Sequence, residues 1–453
     1  MFIGSWRRRA TLVAAGLTSA FVPRHQCVPV FPASWLPQRF CAFVVESSPH
    51  VTTSPRRAAL AFILITVTLD MLALGVIVPV LPRLVVDFVG GDTARGAEIY
   101  GLFGTVWALM QFFFSPILGS LSDRFGRRPV ILLSNLGLGL DYIFMALAPT
   151  ISWLFVGRVI SGITSASLST AYAYIADVTP QEKRAASFGM VGAAFGVGFV
   201  VGPALGGLLG SVEPRLPFWV AAGLSLANAC YGWLVLPESL PRDRRMGFSW
   251  RRANPVGSLV LLRSHPELFG LAVVNFLGNL AHAALPSTFV LYASYRYGWD
   301  ARTVGIMLTS VGVASVIVQG GVIGPVVKRI GERAALLVGL LCGAAGFAIY
   351  GLAATGTLFL IGVPVVALWG LAGAASQGLM TRRVGVSEQG QLQGANGSVR
   401  GVTELIGPGL FTQSFAFFIA AGAPLRLPGA PFLLASLLLA AALLVAWRVT
   451  RPR

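Results

Sequence analysis

Five ionisable side chains sit inside long apolar runs: Asp70, Asp141, Arg158, Arg400 and Glu404. Charge near the centre of a bilayer is costly, so a charge kept there marks an ion path or a coupling site. A carboxylate in a partly dry cavity can load and release a proton near neutral pH. Asp70 falls near the middle of the first run, Asp141 in the outer half of the third and Arg158 near the start of the fourth. Arginine keeps its charge, so Arg158 can change partners with a carboxylate as a proton leaves. Arg400 and Glu404 are four apart and share a helix face, where they either serve coupling or neutralise each other. His282 is a candidate pH switch or a hydrogen-bonded packing residue. Gln111, Asn275, Asn279 and Gln319 are candidate polar groups of a substrate cavity, although such side chains also bind helices together in lipid. Trp107, Phe112, Phe113 and Trp369 either line a pocket for flat molecules or face lipid.

A second constellation lies between runs, in Gly119-Ser-Leu-Ser-Asp123-Arg124-Phe-Gly126-Arg127-Arg128. The segment is too short for a domain linker and reads as the turn of a membrane hairpin. An acid among three arginines does not help orientation. Asp123 can pair with Arg127 one turn on, and it can accept from exposed helix N-terminal amides. A weaker copy stands at Gly324 to Arg333, with Gly119 matched by Gly324, Gly126 by Gly331 and Arg128 by Arg333. Lys328 replaces Asp123 there, and Glu332 replaces Arg127. The same separation carries Gly202-Pro203 to Gly407-Pro408. Matching turns in two halves of one chain are the mark of a transporter built from two repeats.

The elements that must position these groups follow from composition. Of the 453 residues 55% are apolar and only 11% charged, against about 25% charged in ordinary soluble domains. A bilayer-spanning helix needs about 20 apolar residues. Twelve such runs are present, near 58–82, 97–120, 129–149, 151–175, 187–210, 216–237, 267–290, 302–327, 333–352, 356–380, 391–420 and 429–449. The expected class is an all-α membrane protein with twelve spans in two six-helix halves, 58–237 and 266–453. Between them, 238–265 forms a basic linker with Arg242, Arg244, Arg245, Arg251 and Arg252.

Net charge is +17, which in a soluble chain would suggest nucleic acid. Here the basic residues occupy loops. With both termini in the cytoplasm, Lys and Arg crowd that side and leave Arg83, Arg95, Arg215, Arg296, Arg302 and Arg426 opposite, as the positive-inside rule requires. Four cysteines, Cys27, Cys41, Cys230 and Cys342, lack metal-ligand or disulfide spacing. Residues 1–57 stand outside the scheme. Arg7-Arg8-Arg9 ahead of apolar 10–22 has the form of a secretory leader, and 23–37 is proline-rich and expected to be disordered. The reading adopted is a disordered or over-extended start, with the chain proper beginning near Val51.

Gly198, Gly202 and Gly206 lie four apart on one helix face, and Pro203 interrupts that helix. Small residues let helices approach closely in lipid, and the proline favours a bend. The motif is either a bendable seam that limits proton leakage or a plain packing face. With Asp70-Met-Leu-Ala-Leu-Gly-Val-Ile-Val-Pro79-Val-Leu-Pro82, the 119–128 loop, Leu140-Asp141-Tyr142, Gly157-Arg158-Val-Ile-Ser-Gly162, Gly192 to Gly210, Leu236-Pro-Glu-Ser and Leu392-Gln393-Gly394, the chain from 58 to 449 resembles the major facilitator superfamily. Within it, the resemblance is to the drug/proton antiporters of the tetracycline-resistance type.

That resemblance implies proton-coupled efflux of small amphipathic drugs by alternating access. It implies Asp70, Asp141, Arg158 and Glu404 in coupling, the 119–128 motif as a latch made in one state and broken in the other, and a multi-pass place in the bacterial inner membrane. It implies no cofactor beyond the proton and no nucleic-acid partner, and a monomer is expected. Two positions depart from the pattern. The helix 9 acid of tetracycline/proton antiporters is matched by Gly343, and their helix 8 histidine by Ser315, which leaves Glu404 as the carboxylate available in the second half. The alternative on the same fold is a facilitator or symporter of a small metabolite. A membrane enzyme or receptor-like binder is disfavoured, since Walker, His-Glu-x-x-His and Gly-x-Ser-x-Gly patterns are missing from the sequence.

Overall fold

The structure is a computed structural model that describes residues 55–165, 168–180, 184–246, 266–384 and 389–451. The signal-like and proline-rich stretches expected before residue 54, and linker residues Arg251 and Arg252, lie outside the described residues.

Long apolar runs become helices because lipid offers no hydrogen-bond partner, so each backbone amide must be satisfied within its own segment. Eleven described segments are long and apolar enough to cross a membrane. One of them, Ala301–Leu352, has 52 residues. At 1.5 Å per residue it would be about 78 Å long, far more than a bilayer's ~30 Å. It breaks at Gly331, where φ is 78°, and crosses twice. The crossings are therefore twelve, as the sequence predicts.

We number them α1 (Pro55–Ile77, resuming as Leu81–Phe88), α2 (Thr93–Phe125), α3 (Arg127–Ala146), α4 (Ile151–Thr164 and Leu168–Val178), α5 (Arg184–Val212) and α6 (Leu216–Val235). The second set is α7 (Pro266–His282 and Ala284–Tyr297), α8 (301–330), α9 (332–352), α10 (Gly356–Ala367 and Gly370–Thr381), α11 (Gln389–Ile419) and α12 (Ala430–Val449). Their ends carry local signals. Asp92 and Asp300 accept the amides of Arg95 and Thr303 at 3.1 and 2.8 Å, capping α2 and α8. Gly126 and Gly331 take positive φ of 107° and 78° at equivalent turns, a conformation that costs glycine little. Both were legible as the glycines of the repeated loop.

Within the first half α1 packs on α5 and α6, and α3 on α6; within the second, α9 and α7 pack on α12. The halves meet through α2 against α11 and α5 against α8. A methyl group placed on Gly104 would fall 2.7 Å from Pro408, and one on Gly207 2.5 Å from the Ala301 carbonyl. Both contacts lie toward the end of the bundle that carries Arg83. Toward the other end, at Gly189 and Gly192 of α5 and Gly320, Gly321 and Gly324 of α8, no described atom comes within 4 Å of such a methyl. The halves are thus closed at the Arg83 end and parted at the Gly126 end.

Candidate functional site: two carboxylates of the first helical half

Asp70 lies half-buried on α1. Asn228 of α6 donates from Nδ2 to Asp70 Oδ1 at 2.8 Å and to the Thr66 carbonyl at 2.9 Å. Asn135 of α3 stands on the other side; with its NH2 turned inward it donates to both Asp70 oxygens at 3.2 Å and accepts from Asn228 at 3.1 Å. Both asparagines are fully buried. Neither was singled out from sequence, although a lone amide in an apolar run was the available signal. Close packing of α5 completes the site: a methyl on Gly202 would fall 2.6 Å from the Gly75 Cα, and one on Gly198 2.5 Å from the Met71 Cβ.

The Gly198, Gly202, Gly206 face therefore packs on α1. The opposite side of α5 meets α8, where the Thr309 hydroxyl donates to the Val200 carbonyl at 2.9 Å. In the second half Gly407 packs on Ala283 of α7, while Pro408 reaches across to Gly104 of α2. Gly202→Val is expected to cost about 1–3 kcal/mol by overpacking, whereas Gly189→Val should stay within about 0.5 kcal/mol. Thermal unfolding of the two purified variants checks this.

Asp141 and Arg158 form a second buried site. Asp141 is 2% exposed and faces Ser161 and Arg158 of α4. Gly157 lets it approach α4: a methyl there would lie 3.2 Å from Asp141 Oδ1. Arg158 interacts electrostatically with Tyr100, Asp141 and Tyr142, and its guanidinium sits 5.2 Å from the centre of the Trp107 ring, a cation–π geometry. Sequence reasoning left the carboxylate partner of Arg158 open between those of the coupling set; the structure brings it to Asp141. Buried Tyr142 interacts electrostatically with Asp141, Arg158 and Asp70 and so stands between the two sites.

The 119–128 turn is an ion-pair network. Arg127 Nη1 meets Asp123 at 2.6 Å, and its Nε meets Asp177 of α4 at 3.2 Å. Nη1 also donates to the Ser122 hydroxyl at 2.6 Å, and that hydroxyl donates to the Gly119 carbonyl at 2.7 Å. The exposed N-terminal amide of α3 is accepted by Glu238 at 2.9 Å. This corrects the expectation that Asp123 would take that role: the positive φ at Gly126 turns the Arg127 amide toward the chain leaving α6. Arg124 is exposed over the Phe125 ring. Arg128, the last residue of the motif, donates to the Trp233 carbonyl.

The second half repeats the device with its sign reversed. Glu332, the counterpart of Arg127, pairs at 2.9 Å with Arg382, which occupies in α10 the place of Asp177 in α4. A methyl on Gly378 would fall 2.7 Å from the Glu332 carboxylate. Among the described residues none of these ion pairs joins the two halves.

On the second half's inner side Arg400 and Glu404 pair at 2.8 Å. Arg400 interacts electrostatically with Tyr172 across the gap. His282, exposed on α7, senses both charges of the pair, and its ring lies 5.8 Å from that of Trp369, tilted by 43°. Asn275 accepts from Ser376 at 2.6 Å and contacts Met380 sulfur at 3.1 Å, so it ties α7 to α10. Gln319 is exposed in a π-helical turn, Val318–Val322, a feature common at functional sites. Gln111 and Asn279 are half-buried on α2 and α7. Phe112 lies 3.1 Å from where a methyl on Gly401 would stand, so it faces the other half. Gly343 packs with no room to spare: a methyl would lie 2.8 Å from Trp369 and 2.9 Å from Leu439. A carboxylate cannot occupy that place in this packing.

The closed end is held by Arg83. It donates to the Ser294 hydroxyl at 3.0 Å and to the Trp299 carbonyl, joining α1 to the second half. Hydrogen bonds from Thr303, helped by the charge of Arg83, hold the Asp300 carboxyl below the usual carboxylate range. Beside this clasp lies a cleft of about 310 Å³ lined by Asp87, Thr93 and Tyr295. Sequence reasoning counted Arg83 only as an orientation charge. Arg83→Ala is expected to populate a state open at this end. The check is faster thiol labelling of a cysteine placed at Ala301 from the Arg83 side.

Two six-helix halves that meet at one end define the architecture of a two-repeat membrane transporter. A model of the Major Facilitator Superfamily matches residues 63–408. The class C tetracycline resistance protein of Escherichia coli is 39% identical over 358 residues, 79% of this chain and 90% of that protein. The solved nucleoside transporter NupG superposes with a TM-score of 0.70 at 13% identity, covering 87% of this chain and all of that one. The human organic anion transporter MFSD10 does so with 0.64 at 23% identity, covering 86% and 99%. These two likenesses show the fold alone. The chain belongs to the Major Facilitator Superfamily, in the branch that holds the tetracycline resistance proteins, and is a multi-pass membrane protein.

Proposed function

We propose that this protein exports small amphipathic drugs of the tetracycline kind in exchange for protons. The observation that carries the reading is Asp70, an ionisable group on a bilayer-spanning helix, hydrogen-bonded on its protein side and half-exposed on the other. Asp141 with Arg158 forms the second proton-handling pair, and Glu404 is the acid available to the second half. Basic loops put the Gly126 end and both termini in the cytoplasm, so the conformation described accepts cargo from inside the cell. The membrane is then the bacterial inner membrane. The identity to the class C resistance protein supports the cargo class. The crowded Gly343 means the second-half proton step must run elsewhere, with Glu404 first in line. An unchanged pH profile in Glu404→Gln would remove it.

The test is a drug-susceptibility panel in an efflux-deficient bacterium. Wild type is expected to raise tolerance to tetracyclines, and Asp70→Asn to lose that protection. Protection by neither protein against any compound would count against export.

A further inference from the structure

Arg400 and Glu404 stand one turn apart on α11, with Nε 2.8 Å from Oε1. Their side chains are 65% and 48% exposed, and Tyr172 of the first half interacts with Arg400 across the gap. A pair this open contributes little to stability, so packing does not account for it. The other guanidinium nitrogens of Arg400 and the second oxygen of Glu404 bond to no other described side chain. A guanidinium fork matches the two oxygens of an acidic group. Rings from four helices flank the pair. Tyr172 of α4 faces Arg400, and Phe112 of α2 lies against Gly401. His282 of α7 senses both charges, with Trp369 of α10 5.8 Å from its ring.

Cargo that covers the pair excludes water from it, and a charge left there without a partner is costly. A cargo with only an acidic group would take Arg400 and strand Glu404. One with only an amine would take Glu404 and strand Arg400. A zwitterion satisfies both ends, while its flat body lies against the rings. We infer that Arg400 and Glu404 determine cargo specificity by parting to receive a zwitterion, Arg400 holding its acidic edge and Glu404 its ammonium. The inference rests on the protein exporting drugs of the tetracycline kind.

The titratable groups facing the pair from neighbouring helices are His282 of α7 and Tyr172 of α4. α2 brings Phe112 to this level and α10 brings Trp369. The one charge of α12, Arg448, lies in its last turn. A proton on Glu404 removes the partner of the cargo's ammonium. Proton and cargo therefore exclude each other at this residue, as exchange requires.

The test is equilibrium dialysis of the purified full chain at neutral pH, with divalent cations chelated. The probes are tetracycline and its derivative lacking the dimethylamino group, which keeps the acidic edge but not the amine. Wild type should bind tetracycline about tenfold more tightly than the derivative. Glu404→Gln should move the two in opposite directions. Tetracycline weakens because its ammonium loses a partner, and the derivative tightens because no carboxylate is stranded. Arg400→Gln should weaken both. If wild type binds neither compound, the export reading fails and the inference falls with it. Equal wild-type affinities overturn the inference whether or not the variants fold, and leave the cargo reading standing. A folded Glu404→Gln protein that shifts both affinities the same way overturns it too.

Discussion

Asp70→Asn is expected to abolish uphill export while leaving the protein folded and able to equilibrate cargo. One proton moving down 100 mV supplies about 2.3 kcal/mol. At about 1.4 kcal/mol per tenfold, that sustains a gradient of a neutral cargo near 50-fold. An amide at this position cannot carry the proton, so the steady-state ratio should fall toward one. Its carbonyl still accepts from Asn228, which now donates at 2.8 Å, so helix packing survives. Radiolabelled tetracycline in energised inverted vesicles measures the ratio. A variant that holds the wild-type gradient would mean that Asp70 carries no proton.

Arg127→Ala is expected to be the most destabilising single change at the Gly126 end. The side chain is 11% exposed and holds two carboxylates, those of Asp123 and Asp177. Truncating one partner of a buried pair costs about 3–5 kcal/mol, because the remaining charges are left uncompensated. The inverted copy provides the control. Arg382 is 75% exposed where it meets Glu332, and exposed pairs contribute about 0–1 kcal/mol. Glu332→Ala should therefore be nearly silent in thermal unfolding, and Arg127→Ala should unfold far earlier or fail to accumulate. Equal losses in the two would show that the halves share the load and that burial does not set it.

The same asymmetry explains what could be read from the sequence. The turns at Gly126 and Gly331 were legible because glycine, charge and spacing coincide in both copies, and they resolve the 52-residue segment into two crossings. The pairing of Arg400 with Glu404 followed from helix spacing alone. Asn135 and Asn228 were not legible: one amide in an apolar run looks like any interhelix bond, and only the folded contact of α1, α3 and α6 gives it a carboxylate. The Asp177 partner of Arg127 lies far away in sequence, and the reversed pair in the second half emerges only when α4 and α10 are set beside each other. Arg83 obeyed a topology rule so well that its contact with Ser294 and Trp299 was hidden behind it. Trp107, which by sequence alone was apt to face lipid, instead lies under the guanidinium of Arg158.

The central claim is exchange of cargo for protons across a bundle that opens at one end at a time. Wild-type protein reconstituted in sealed vesicles, with internal tetracycline and an inward proton gradient as the sole driving force, tests it most directly. Cargo should leave against its own gradient while an external pH electrode records proton uptake in fixed proportion. Cargo that follows the protons inward, or moves only downhill whatever the pH difference, would contradict the account.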